Sequence, residues 1–359
     1  MYQLDKNQYG INRLACEDFD ISKVILNRFG RLLCWSAYAY PVAVLLVLLV
    51  MRFAGEHWWP ATMLLFGPRW FAAVPLAILL PLAVFYNYRL LTPLLLGALI
   101  VSAPFMGLRV SFGKSGNVGG SAIRIVTCNI DSGSFNADAF SSFIKDASAD
   151  IVALQESPGE VISKLKLPSG WNGVQDGELA VFSRFPLEKG KVYQTIHPPH
   201  KWPRTSLLEC FVQAPGGDIA FYTLHLPSPR YGLQNVLDRK TIISLSRKDL
   251  LNSETLNRWR TAREIQDIIA SQNLPVIVAG DFNMPVDSAI YRKIWRGYSN
   301  AFSKTGSGYG WSERVSVLGI PLAVRIDHVL TGKGLTPRLC EMGPDVGSDH
   351  LPVIADVGR

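Results

Sequence analysis

The chain has 359 residues, 48% of them hydrophobic, and a net charge of +7. That length allows one large or two ordinary domains, and the apolar content is concentrated in residues 32–110. Residues 112–359 carry 27 Lys/Arg against 24 Asp/Glu, too slight an excess for the dense basic footprint of a protein built on long nucleic acid. The five cysteines (Cys16, Cys34, Cys128, Cys210 and Cys340) form no Cys-x-x-Cys pair and so give no zinc spacing.

Residues 1–31 are polar and include Lys6, Arg13, Lys23, Arg28 and Arg31. The stretch is too long and mixed for the charged start of a signal peptide, and it reads as a cytoplasmic tail. Leu32 to Met51 then runs without a charge, long enough to cross a bilayer as a helix, with Pro41 tolerable inside it. Trp70 to Tyr88 and Leu90 to Leu108 repeat the pattern on either side of Arg89, so residues 32–110 predict a three-helix membrane anchor. Trp58, Trp59 and Trp70 stand near the ends of the first loop, where interfacial residues belong. Five basic residues precede the first span and only Arg52 and Arg69 lie in the first loop, which keeps the tail inside. Three crossings put the rest of the chain on the opposite face, in a bacterium the outer side of the inner membrane; two or four would leave it cytoplasmic. The Gly/Ser-rich residues 111–121 read as a flexible linker.

Residues 122–359 alternate strand and helix patterns. Strands are predicted at Ala122–Asn129, Asp150–Leu154 and Leu179–Ser183, and a helix over Ala137–Ser148 with Phe140, Phe143 and Ile144 on one face. Leu207–Gln213 and Asp218–Leu224 read as an antiparallel pair joined by Pro215-Gly216-Gly217. A polar insertion, Pro227–Ser253, precedes a helix at Leu256–Ser271. Next come an apolar strand at Val276–Ala279, a helix near Ala289–Trp295, a strand at Val324–Leu330 and a last strand at Leu351–Val357.

Strand after strand ends in a polar residue of one restricted set: Asn129, Glu156, His225, Asp281 with Asn283, Asp327, and Asp349 with His350. Taken singly each has a plain explanation, such as a capped turn, a solvated strand end or a satisfied core histidine. Taken together they match layered α/β folds, whose sites gather at strand ends. Carboxylates without cysteine favour a hard cation such as Mg2+ or Mn2+. Such an ion neutralises phosphate charge, a carboxylate aligns water, and a histidine held by an aspartate donates to a phosphoryl oxygen. Arg204, Arg230, Arg239 and Lys240 could face a phosphate or form a solvated surface.

The motifs Thr127-Cys-Asn129, Leu154-Gln-Glu156, Phe182-Ser-Arg-Phe-Pro186, Leu224-His225, Ala279-Gly-Asp-Phe-Asn283, Arg325-Ile-Asp327 and Gly347-Ser-Asp-His350 resemble, in order and spacing, those of the endonuclease/exonuclease/phosphatase superfamily. The resemblance covers residues 122–358 and implies a DNase I-like four-layer α/β sandwich, here preceded by three transmembrane helices. It implies a metal site of Glu156 with Asn129 and Asp349. It further implies Asp281 as the residue that aligns or deprotonates water, Asn283 and His225 as phosphate contacts, and His350 as the phosphate-binding or acid histidine oriented by Asp327. His328 is expected to face away, and the number of metals is left open. His225 stands where apurinic exonucleases have Tyr, which points away from DNA repair. With its anchor the chain resembles a bacterial membrane-tethered branch, one of whose members acts on the undecaprenyl carrier lipid outside the cytoplasm. The expected partners are therefore the bilayer and a phosphorylated substrate, lipid-linked if the resemblance extends to it. The alternatives are a tethered nuclease or phosphodiesterase and an inactive membrane-bound interaction module.

Overall fold

The computed structural model describes residues 21–111, 122–196, 203–238, 248–317 and 319–359. Most of the expected tail with Cys16, nearly all of the expected linker, and Arg239 and Lys240 lie outside the described residues.

Three stretches are long and apolar enough to cross a membrane: Arg28–Ala54, Arg69–Tyr86 and Tyr88–Phe105. The first belongs to helix α1 (Ile21–Ala54), which continues through Pro41 and starts inside the stretch read as tail. Neither glycine nor proline stands between Ile21 and Phe29, and charged residues alone do not stop a helix. The first loop contains a helix of its own, α2 (Trp59–Phe66), with Pro60 in its first turn and Leu65 buried in the anchor core. Two further helices follow, α3 (Val74–Tyr86) and α4 (Leu91–Ile100). A π-helical turn at Val101–Phe105 ends the third stretch, where Pro104 has no N–H for the helical ladder. Leu32, Trp35, Phe53, Ile78, Phe85 and Leu99 are exposed on these helices, a surface suited to lipid rather than to water.

The remaining strands, in chain order, are β1 (Ile123–Asn129), β2 (Ile151–Gln155), β3 (Asn172–Asp176), β4 (Leu179–Ser183), β5 (Leu187–Ile196), β6 (Pro203–Val212), β7 (Ile219–His225), β8 (Val276–Asp281), β9 (Ser299–Asn300), β10 (Glu313–Val317), β11 (Ile320–Val324), β12 (Asp327–Thr331), β13 (Thr336–Met342) and β14 (Val353–Gly358). Interleaved helices are α5 (Ala137–Asp146), α6 (Gly159–Ile162), α7 (Arg230–Leu237), α8 (Asp249–Ala270), α9 (Ala289–Ile294) and α10 (Ala301–Thr305). The strands form two six-stranded mixed sheets, β13-β14-β1-β2-β4-β3 and β5-β6-β7-β8-β12-β9, and a ribbon β10-β11.

Period-2 alternation builds the layers. Ile123, Ile125, Ile151 and Ala153 from one sheet meet Cys210, Phe221, Ile277 and Ala279 from the other in a core between the sheets. The neighbouring residues Val126, Val152 and Leu154 turn to the opposite face and pack with Phe140 and Ile144 of α5. On the far side, Ala220, Tyr222 and Val278 pack with Ala262, Ile265 and Ile269 of α8 and Trp295 behind α9. The result is the DNase I-like α/β sandwich with helix, sheet, sheet and helix as its layers.

The parallel pairs β1–β2 and β7–β8 set the site, because each pair ends at the same level. Asn129 lies opposite Gln155, and His225 opposite Asp281; β12 then brings Asp327 beside Asp281. Gly280 makes the second pair possible: its φ is +145°, and a Cβ there would lie 2.2 Å from the Leu224 carbonyl.

Some elements differ from expectation. The single strand expected over Val324–Leu330 is two, β11 and β12, broken at Arg325-Ile326 where Ser312 Oγ accepts from the Ile326 and Asp327 amides. β3, β5 and β13 carry no continuous apolar run, since each is an edge strand with polar, partly exposed residues, whereas the apolar β11 lies exposed to half-buried in a ribbon outside both sheets. The polar insertion contains α7 and the first turns of α8.

The apolar helical region docks directly on the sandwich. Arg69 pairs with Asp287 at 2.7 Å, and Trp70 Nε1 donates to the Pro321 carbonyl at 2.9 Å. Below the third span, Arg109 and Gly308 exchange both backbone hydrogen bonds, at 2.8 and 2.9 Å.

Candidate active site

A cavity of about 140 Å3 opens where the strand pairs end, lined by Asn129, Glu156, His225, Asp281, Asn283, Asp349 and His350. Seven of the eight residues singled out from sequence thus share one pocket, and the eighth, Asp327, stands directly behind His350.

The residues are held by one another and by the backbone. Asn129 Nδ2 donates to Glu156 Oε1 at 3.1 Å and to Asp281 Oδ2 at 3.2 Å, while its Oδ1 accepts from the Asp131 amide. As placed, Asn129 orients the two carboxylates. His225 Nε2 lies 3.5 Å from Asp281 Oδ2 and 3.8 Å from Glu156 Oε1. Asn283 donates from its backbone amide to Asp281 Oδ1 at 2.8 Å and from Nδ2 to the Leu226 carbonyl at 2.9 Å. Asp327 Oδ2 accepts from His350 Nδ1 at 2.8 Å, which leaves Nε2 toward the cavity. Ser348 bridges the His350 amide and the Asn129 carbonyl, tying the last loop to β1. Beneath the floor, Gln155 Nε2 donates to Thr127 and Thr223 and so stitches the two sheets.

Glu156 and Asn283 both adopt φ of +50°, a left-handed conformation that costs such residues about 1 kcal/mol or more and persists only where surroundings enforce it.

Burial and charge tune these groups. Burial lifts the Glu156 carboxyl, but His225, the Asn129 amide and Arg204 outweigh it and hold the group below the ordinary range. Burial pushes Asp281 well up, and the charge of Asp327 adds to the rise. Burial lowers the His225 imidazole, with Glu156 opposing. For His350 burial also acts downward, yet Asp327 overrides it and the imidazole is held well above its usual value. Asp349 is raised by burial.

His328 turns away, packing on Phe282 and Tyr291 with Nε2 at 3.0 Å from the Met284 carbonyl, and burial brings its imidazole to about 3. Of the basic candidates, Arg204 and Arg230 reach the cavity wall. Two acidic lining residues escaped the sequence: Asp131, just after β1, and Glu313, at the start of β10, whose carboxyl burial pushes up; of these Glu313 is the more distant in sequence from any motif. A backbone bridge to His350 brings it there, and no local motif could have signalled that.

Two donor groups could hold a cation. Asp281, Asp327 and His350 place ligand atoms within 4.8 Å of one another, and Asp327 Oδ1 is buried without a hydrogen-bond partner. Glu156 and Asp349 are the more open pair, with side chains 26% and 31% exposed. A hard cation that keeps several waters fits the open carboxylates better than a buried cluster already hydrogen-bonded to itself.

Among solved structures, the domain is similar to D. rerio TDP2 complexed with a single-strand DNA product (16% identity, TM-score 0.49, covering 67% of this chain and 100% of that one). It is also similar to an endonuclease/exonuclease/phosphatase family protein from Leptotrichia buccalis (16%, 0.47, 66% and 100%) and to the human Nocturnin catalytic domain with bound sulfate (13%, 0.44, 66% and 94%). No curated protein matches the chain. The sequence profile of the Endonuclease/Exonuclease/phosphatase family matches residues 126–350, more than half the chain and every residue of the cavity discussed above. The chain belongs to the Endonuclease/Exonuclease/phosphatase family, whose members are metal-dependent phosphoesterases or nucleases.

Proposed function

We propose that this protein is a membrane-tethered, Mg2+- or Mn2+-dependent phosphohydrolase that cleaves a lipid-linked phosphate, with undecaprenyl pyrophosphate as the leading substrate. The observation that carries this reading is the loop Asp281–Ser288. Its first residues line the pocket, and Asp287 and Ser288 bond to anchor residues Arg69 and Glu56. A pocket so near its anchor meets headgroups at high local concentration without tight binding. Orientation is supported in the same way. The loop after the first span and the chain leaving the third both touch the sandwich, so both lie on its side of the membrane. Together with the basic tail this favours an extracytoplasmic domain.

Glu156 and Asp349, with Asn129 orienting Glu156, would hold the cation, which when bound neutralises phosphate charge and stabilises the leaving oxygen. Asp281 aligns the attacking water and takes its proton; a carboxylate pushed up by burial is a better proton acceptor than a free one. His225 and Asn283 contact phosphate oxygens. His350, kept cationic by Asp327, donates from Nε2 to a phosphoryl or leaving oxygen. The water oxygen bonds phosphorus as the bond to the leaving phosphate breaks.

The test is a comparison in proteoliposomes of lipid-linked pyrophosphate with a single-stranded DNA oligonucleotide. The reading expects kcat/KM at least tenfold higher on the lipid. Faster cleavage of DNA would replace it with a tethered nuclease.

A further inference from the structure

The anchor reaches past the surface of the sandwich to a residue that holds the site. Glu56, just beyond the first span, is buried, and its backbone is fixed at φ +67° with its amide donating to Thr62 Oγ1. Its Oε2 accepts from Ser288 Oγ at 2.6 Å and from the Ile290 amide at 3.1 Å. Its Oε1 faces Arg258 Nη1 of α8 at 2.9 Å, and neither side chain exposes any surface. Neither of those two atoms has a hydrogen-bond partner elsewhere among the described residues. Phe66 of α2 lies under the guanidinium, 5.3 Å from its ring centre.

The other nitrogens of Arg258 go to the site loops. Nε donates to the Pro227 carbonyl at 3.1 Å, two residues after His225, and Nη2 to the Asn283 carbonyl at 3.0 Å. Asn283 is one of the left-handed residues of the pocket, so its conformation needs such a hold. The nearest other carboxyl on α8, Glu254, is turned to the Gly232 amide at 2.8 Å. A fixed guanidinium fork needs a counter-charge to stay buried, and here that charge comes from the anchor.

We propose that Glu56 is a positioning residue of the active site: it fixes Arg258, which fixes the loops bearing His225 and Asn283, so that the membrane anchor completes the phosphate-binding geometry. The inference requires only that the pocket bind phosphate, and holds whichever phosphate ester is the substrate.

The experiment compares full-length wild type, Glu56→Gln and Asp287→Asn in detergent. The second variant loosens a neighbouring contact of the same loop that does not pass through Arg258. Hydrogen exchange is read for peptides spanning residues 225–229 and 281–286, with inorganic phosphate affinity measured by calorimetry in Mg2+ and Tm as the folding control. Glu56→Gln is expected to speed exchange in those peptides and weaken phosphate binding at least tenfold at a Tm close to that of Asp287→Asn, which itself changes either readout by no more than about twofold. An Arg258→Lys variant, which keeps the charge but loses the fork, is expected to reproduce Glu56→Gln. Equal exchange in the two site peptides for Glu56→Gln and Asp287→Asn overturns the proposal, whatever the substrate proves to be. If exchange separates the variants but phosphate affinity does not, the claim about phosphate binding falls.

Discussion

Replacing Asp327 by Asn tests the electrostatic centre of the site with the least change of shape. The 2.8 Å bond from His350 Nδ1 becomes a bond to a neutral acceptor. A charge-assisted hydrogen bond contributes about 1–1.5 kcal/mol more than a neutral one, so the loss of the charge alone predicts roughly a 5- to 12-fold fall in kcat. Protonation points the same way. With Asp327 gone, burial acts on His350 unopposed by its nearest anion and lowers the imidazole from its raised position, with only the charges of Asp281 and Glu313 still holding it up. In the wild type the cationic form survives well above pH 6.5 and is lost only as pH rises through the raised value, so activity falls on an alkaline limb. In the variant that limb moves to lower pH, and the deficit is smaller at pH 6 than at pH 8. Phosphate release between pH 5.5 and 9, with Tm as a control on folding, reads all of this. A variant within about twofold of wild type across that range, with an unmoved alkaline limb, would refute the acid role of His350.

Other outcomes follow from the same geometry. Glu156→Gln is expected to cut turnover at least a hundredfold and to raise the Mg2+ concentration needed for half-maximal rate; an unchanged Mg2+ requirement would move the cation to the buried Asp281, Asp327 and His350 cluster. Burial lifts Glu254 to about 7. The folded protein therefore keeps a proton that the unfolded chain releases above about 4.5, and stability declines as pH rises between those values. Glu254→Gln removes the decline, so it should raise Tm by several degrees at pH 8 and leave it unchanged at pH 4; equal effects at both would contradict the burial argument. With the domain outside, a Cys placed at exposed Asp218 should react with an impermeant maleimide in intact spheroplasts, and Cys16 only after permeabilisation. The reverse pattern would place the domain in the cytoplasm.

The site was more legible than the fold's margins, and for a physical reason. Val276–Ala279 and Ala122–Asn129 are apolar because both faces of their sheets are covered, so the polar residue at each strand end stands out. Glu313 gave no such signal, because it opens a half-exposed ribbon and reaches the pocket only through a long-range backbone bridge. Glu56 was equally hidden: in sequence it is one acidic residue in a loop between spans, and only its burial against Arg258 gives it a role. The edge strands β3 and β5 were invisible because only scattered side chains, Val174, Leu187 and Val192, pack on the core between the sheets while the rest stay partly or fully exposed, too few to impose a period.

The most direct test of the central claim is Mg2+-dependent phosphate release from undecaprenyl pyrophosphate by the detergent-purified full-length protein, with His350→Ala and EDTA as controls. Release abolished by both is the predicted result. No release from this lipid, or release that survives either control, would contradict the account of a tethered, metal-dependent lipid pyrophosphatase.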